Sequence, residues 1–129
     1  MQNYADINPL IRPQHIEYRS RIREFAENEI RPIARELDEE ARFSKKITKR
    51  LGEIGLLGIT LPKKYGGQDL DTLSYIIAVE ELARVDSSQA ATVAAHNSLG
   101  IAPIYNHGTE TQKSNLLPKL TIIYLPLQL

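Results

Sequence analysis

Residues 13–41, PQHIEYRSRIREFAENEIRPIARELDEEA, decide the fold class. Tyr18, Ile22, Phe25, Ala26, Ile30, Ile33, Ala34, Leu37 and Ala41 recur at three-and-four spacings, the stripe of an amphipathic helix. Glu17, Arg21, Arg23, Glu27, Arg31, Arg35 and Glu39 fill the other face, several of them four apart. A docking surface is one reading of these ions; a solvated face laced with weak pairs is the better one. Pro13 suits a first helical turn. Pro32 falls mid-stripe, removes a hydrogen bond and predicts a bend or a short break.

Working outward, the same logic finds four more helices. Ser44 is a good N-cap for a second, with Ile47, Leu51 and Ile54 on one face. Gly55 is placed to end it in a left-handed conformation, and Leu56 to fold back on its last turn. Residues 56–61 read as a short apolar connection, and Tyr65-Gly66-Gly67 as a glycine turn. A third helix is expected from about Asp71 to Val85, apolar around most of its circumference. Asp86 with Gln89 resembles a capping box for a fourth, and Thr109 with Gln112 another for a fifth running through Leu117. Pro118 is expected to limit that last helix. No stretch alternates like a strand, so the fold class is all-α, a bundle of about five helices. Residues 1–10, polar and holding Pro9, read as a loose arm.

Composition narrows the function classes. The chain has 129 residues, 42% apolar and 25% charged, which suits one soluble domain. Sixteen basic residues balance sixteen acidic ones, so nothing in the charge favours nucleic acid or an anionic membrane as partner. Without cysteine there is no disulfide, thiolate nucleophile or cysteine zinc site. No basic-then-apolar leader opens the chain, so a cytoplasmic or mitochondrial-matrix location is expected.

Candidate chemistry is sparse. His15, His96 and His107 show no metal-ligand spacing on an uninterrupted helix, and each reads better as a satisfied polar side chain. Ser98 lies two residues from His96, an offset that points the pair apart. Glu80 and Glu81 are adjacent and therefore face about 100° apart on a helix. Gly52, Gly55 and Gly58 span a helix end and lack the spacing of a dinucleotide or phosphate loop. Catalytic, metal and cofactor-binding residues are therefore none.

The informative run is Ala90-Ala91-Thr92-Val93-Ala94-Ala95, inside a stretch from Ser87 to Thr109 that carries no Asp, Glu, Lys or Arg. Gln89, His96, Asn97 and Pro103 interrupt that stretch too often for a membrane span. It reads as a helix buried on most sides. The alanines serve either close helix packing or the wall of a slot for an apolar tail, with Asn97 or Ser98 as its polar contact. Spacing alone favours packing.

A resemblance tips that balance. Arg23-Glu24-Phe25-Ala26, Ile30-Arg31-Pro32-Ile33-Ala34, residues 51–58 (LGEIGLLG), residues 61–70 (LPKKYGGQDL) and Glu80-Glu81-Leu82-Ala83-Arg84 stand in order. His96-Asn97-Ser98-Leu99-Gly100, Pro103-Ile104, residues 107–113 (HGTETQK) and Leu117-Pro118-Lys119-Leu120 follow. Together they resemble the N-terminal helical domain of the acyl-CoA dehydrogenases. The resemblance implies a three-domain flavoenzyme that forms trans-2-enoyl-CoA. A glutamate takes the α-proton, the β-hydride goes to FAD, and electrons pass to an electron-transferring flavoprotein. It implies that Ala90, Ala94, Ala95 and Ser98, with Ala91 as a nearer alternative, border the pocket for the acyl tail. It also implies that the base lies in a third domain and most of the FAD site in a second.

On this reading residues 11–121 form the domain and residues 122–129, IYLPLQL preceded by Ile122, are a tail unlike the family. The chain is then expected to be a truncated fragment that neither turns over acyl-CoA nor holds FAD alone. A stand-alone helical interaction module, self-associating through exposed core surface, is the alternative.

Overall fold

Pro13 opens the first helix, and its missing N–H costs nothing where no intrahelical partner exists. Helix α1 covers residues 13–39 as Pro13–Phe25, a π-helical turn Ala26–Ile30, and Arg31–Glu39. The expected disturbance at Pro32 is that π turn rather than a break. The Arg31 N–H bonds back five residues to Ala26 O, opening the ladder just before the residue that cannot donate.

The computed structural model describes residues 8–122, and no strand occurs among them. The arm expected at 1–10 and the tail at 122–129 lie outside the described residues, except for residues 8–10 and Ile122. Helix α2 is Lys45–Glu53, α3 is Thr72–Ala83 and α5 is Glu110–Leu120. Helix α4 covers residues 87–107 as Ser87–Ala95, a second π turn His96–Ile101, and Ala102–His107. Five helices in this order match the all-α expectation.

The caps follow the sequence closely. Ser44 Oγ accepts the Ile47 N–H, and Thr109 with Gln112 forms the expected box. Gly55 takes φ +85°, and the Leu56 N–H reaches back to Leu51 O, closing α2 in a Schellman turn. Two expectations need correcting. Asp86 accepts from the Ser88 N–H and hydroxyl, so no box forms with Gln89, whose Oε1 is buried without a hydrogen-bond partner. Helix α5 runs on through Pro118 to Leu120, since a proline near the C-terminal end sacrifices only one ladder bond.

Helices α1, α3 and α4 pack side by side around the main core of Ile22, Phe25, Ile30, Leu51, Leu56, Leu57, Ile59, Leu82 and Val93. A smaller cluster of Leu61, Tyr65, Ile101 and Leu117 joins α4 to α5. Glu81 of α3 is fully buried, yet its carboxylate takes bonds from Arg19 at 2.5 Å, Arg23 at 2.8 Å and Arg84 at 3.1 Å. Glu80, its neighbour, points to the surface and meets Arg19 there. The other ions of α1 form exposed pairs such as Arg31–Glu27 and Arg35–Glu39, the solvated face that the spacing implied. No helix among the described residues is long and apolar enough to cross a membrane.

Glycines bring the end of α5 onto the connection after α2. A Cβ on Gly52 would stand 2.6 Å from Ile122 O, and one on Gly58 would stand 2.7 Å from Thr121 Cγ2. A Cβ on Gly66 would meet Thr121 Oγ1 at 2.9 Å.

Candidate functional site

Helix α4 has two unlike faces. Inward, Ala90 and Val93 enter the main core, His96 and Asn97 are buried in the π turn, and Ile101 enters the smaller cluster. Outward, Ala91, Ala95, Ser98 and Leu99 are exposed, Leu99 to 75%. A helix expected to be covered on most sides is therefore bare along one of them. Nothing among the described residues covers that face, and none of its side chains is charged.

The expected pocket residues divide between these faces. Ala91, Ala95 and Ser98 stand together outside. Ala94 is half-buried behind them, and Ala90 points into the core. Spacing put Ala90, Ala94 and Ser98 on one face of an ideal helix. Each step of four residues drifts about 40° around the helix, so Ala90, Ala94 and Ser98 pass from the core through a half-buried position to the outer face. Leu99, four residues after Ala95, belongs to the outer face and was missing from the set read from sequence. The signal for it was its place in the row Ala91, Ala95, Leu99.

The polar groups of the π turn are spent on structure. Asn97 Nδ2 donates to Leu56 O at 2.8 Å and Val93 O at 2.9 Å, while its Oδ1 accepts the Ile59 N–H at 3.0 Å. That accounting removes Asn97 as a ligand contact. His96 Nε2–H donates to Leu120 O at 2.7 Å and ties α4 to the end of α5. Burial lowers the His96 pKa, only partly offset by that bond, so the ring is neutral near pH 7. Ser98 Oγ–H donates to Ala94 O at 2.7 Å, and the Tyr75 hydroxyl of α3 reaches the same carbonyl at 3.1 Å.

His15 is buried too. Its Nδ1 accepts the Arg12 N–H at 3.0 Å, so Nε2 carries the proton and donates to Asp71 Oδ2 at 2.8 Å. No group of three His, Cys, Asp or Glu among the described residues could hold a metal ion. A concavity of about 350 Å³ lies elsewhere, between the end of α1 and the start of α4, lined by residues that include Asp38, Arg42, Phe43, Asp86 and Gln89.

The outer face is thus uncharged and mostly apolar, and the hydroxyl it carries at Ser98 already donates to Ala94 O.

Comparison with known proteins places the fold in a family. The family model described as "Acyl-CoA dehydrogenase, N-terminal domain" matches residues 12–122. A short-chain specific acyl-CoA dehydrogenase of Clostridium acetobutylicum is 49% identical over 102 residues, which are 79% of this chain and 27% of that protein. The butyryl-CoA dehydrogenase structure from Megasphaera elsdenii superposes with a TM-score of 0.81 at 34% identity, covering 86% of this chain and 30% of that one. A glutaryl-CoA dehydrogenase of Mycobacterium smegmatis in complex with FADH2 gives 0.84 at 29% identity, over 91% of this chain and 30% of that one. This chain therefore spans little more than a quarter of the length of the curated relatives it matches. With the family model covering residues 12–122 and the five helices in the matching fold, the chain belongs to the acyl-CoA dehydrogenase family, as its N-terminal helical domain.

Proposed function

We propose that this chain supplies one wall of the acyl-tail slot in a flavin-dependent acyl-CoA dehydrogenase. The observation that carries the reading is the bare face of α4, where Ala91, Ala95 and Ser98 leave room and Leu99 offers apolar surface. An acyl chain laid against it leaves water at a gain of about 0.8 kcal/mol per buried methylene. Ala94 stands half-buried behind that wall, while Ala90 packs in the main core and does not line it. A small-residue, uncharged wall suits medium, long or branched acyl groups, whereas a dicarboxylyl substrate would need a polar partner at this level.

The chain's own share of the reaction is binding, orientation and exclusion of water. FAD supplies the hydride acceptor when bound, while the α-proton goes to a base outside this domain. The glycines of residues 52–67 do not fit a phosphate, because Ile122, Gln68, Thr121 and Leu61 occupy the space beside them. Residues 11–121 act as the domain and 122–129 as a tail beyond it. Electrons leave to an electron-transferring flavoprotein, in a bacterial cytoplasm or a mitochondrial matrix.

The 54% exposure of Ile76 and the bare Leu99 favour a second reading, a helical module that pairs with itself or another protein. One experiment separates the two. Residues 1–121 are grafted onto the later domains of a related dehydrogenase, and Ala95→Phe is introduced. The slot reading expects kcat/KM for long acyl chains to fall about tenfold more than for short ones, a difference near 1.4 kcal/mol. Equal losses at every length would withdraw it.

A further inference from the structure

Helix α4 changes its winding within the bare face. The π turn His96–Ile101 begins directly after Ala95, so the wall is α-helical at Ala91 and Ala95 and widened at Ser98 and Leu99. Each residue along a helix advances it by about 1.5 Å, close to the length of one methylene. For an acyl tail laid along α4, moving this turn by one residue would shift the wall by about one carbon.

Two devices hold that register. Asn97 grips it from the core side, through Val93 O, Leu56 O and the Ile59 N–H. On the other device, Tyr75 reaches over from α3 and its hydroxyl donates to Ala94 O, which also takes the Ser98 hydroxyl. A serine bonding four residues back tends to bend a helix and loosen its ladder. The tyrosine adds a donor from a neighbouring helix to that same carbonyl. Its ring packs against the main core, so the hydroxyl is presented from a fixed base.

We infer that Tyr75 is a positioning residue for acyl-chain length: through Ala94 O it fixes where the wall passes from α to π winding. This inference rests on the slot reading above. It involves no bond-making step. The tyrosine touches neither the slot face nor any reacting group, and acts only through the backbone of α4.

Tyr75→Phe removes the hydroxyl and keeps the ring. In the 129-residue chain, amide hydrogen exchange at residues 98–102 should quicken about fivefold, the scale of one lost hydrogen bond, while residues 77–82 of α3 keep their protection. Unchanged exchange at 98–102, or an equal rise across α3, overturns the inference. In the grafted enzyme, Tyr75→Phe should raise KM for long acyl chains relative to short ones about fivefold, with kcat much less affected. If Ala95→Phe shifts the chain-length profile and Tyr75→Phe does not, the positioning role falls and the slot stands. If neither shifts it, the slot reading itself falls.

Discussion

The buried His15 ring donates to Asp71, the N-cap of α3, across 56 residues of sequence at 2.8 Å. Its other nitrogen is held by the Arg12 N–H at the start of α1, so one imidazole aligns the first turns of two helices. Burial opposes charge on Asp71, yet the Ser74 N–H, the His15 N–H and the Ser74 hydroxyl together hold its pKa below the usual value. His15→Leu should cost about 2 kcal/mol for two lost hydrogen bonds. In the same variant the Asp71 carboxyl should titrate higher than in the parent. Denaturant melts and carboxyl-carbon NMR titration check both, and an unmoved Asp71 would disprove the coupling.

Glu81 predicts an acid limb of stability. Burial alone would raise its pKa, but Arg23, Arg19 and Arg84 outweigh that and hold it below the usual value of 4.5. A carboxylate whose pKa is lower folded than unfolded stabilises the fold fully above its ordinary value. That contribution is lost as pH falls through the depressed folded value. Stability should therefore decline below about pH 4.5, and Glu81→Gln should flatten the decline. At pH 7 the same variant should cost about 2–3 kcal/mol in charge-assisted hydrogen bonds. Parallel slopes for parent and variant would contradict this account.

Asn97→Ala should destabilise by about 3 kcal/mol, because it leaves the Ile59 N–H and Leu56 O buried without their partner. Asn97→Asp should be no better at pH 7, since a carboxylate would face Leu56 O and Val93 O where an NH₂ now donates. Protonation should recover part of its loss on mild acidification. Melts at pH 7 and pH 4.5 distinguish this from a simple packing defect, for which the two variants would share one pH dependence.

Gly66 and Gly67 should respond differently to alanine. Gly66 has φ +89°, a conformation that costs an L-residue about 1–2 kcal/mol. Gly67 has no such angle, but its Cβ would stand 1.9 Å from Leu61 O. Gly67→Ala should therefore exceed about 4 kcal/mol, in the range of severe core disruption. Circular-dichroism melts in which Gly66→Ala is the worse variant would refute the ordering.

The purified chain should show no visible flavin absorption and no turnover of acyl-CoA with an artificial electron acceptor. A yellow, active preparation would contradict the division of labour proposed above.

Helix number, type and most caps were legible from sequence because they depend on local rules. The stripe from Tyr18 to Leu37, the cap at Ser44 and the box at Thr109 each lie within a few residues of what they control, whereas Ala41, read as the stripe's last member, lies exposed beyond the helix end at Glu39 with φ +49°. The tertiary hydrogen bonds were not legible. Nothing near Asn97 in sequence marks Leu56 or Ile59 as partners, and nothing near Glu81 marks Arg19. The alanine run was visible, but which alanines face outward depends on the side from which α3 and the main core pack against α4, and that has no local signature. Gln89 failed as a box partner because Asp86 found a nearer donor in Ser88.

The contacts of Gly52, Gly58 and Gly66 with residues 121 and 122 have a consequence for how the molecule tolerates change. Gly52 is passed by the carbonyl of Ile122, not by its side chain, so any residue at 122 could make the same approach. The close approach is recorded in the three glycines rather than in residues 121 and 122. Drift at 122 should therefore be nearly free, while a side chain at Gly52 would displace residue 122 itself.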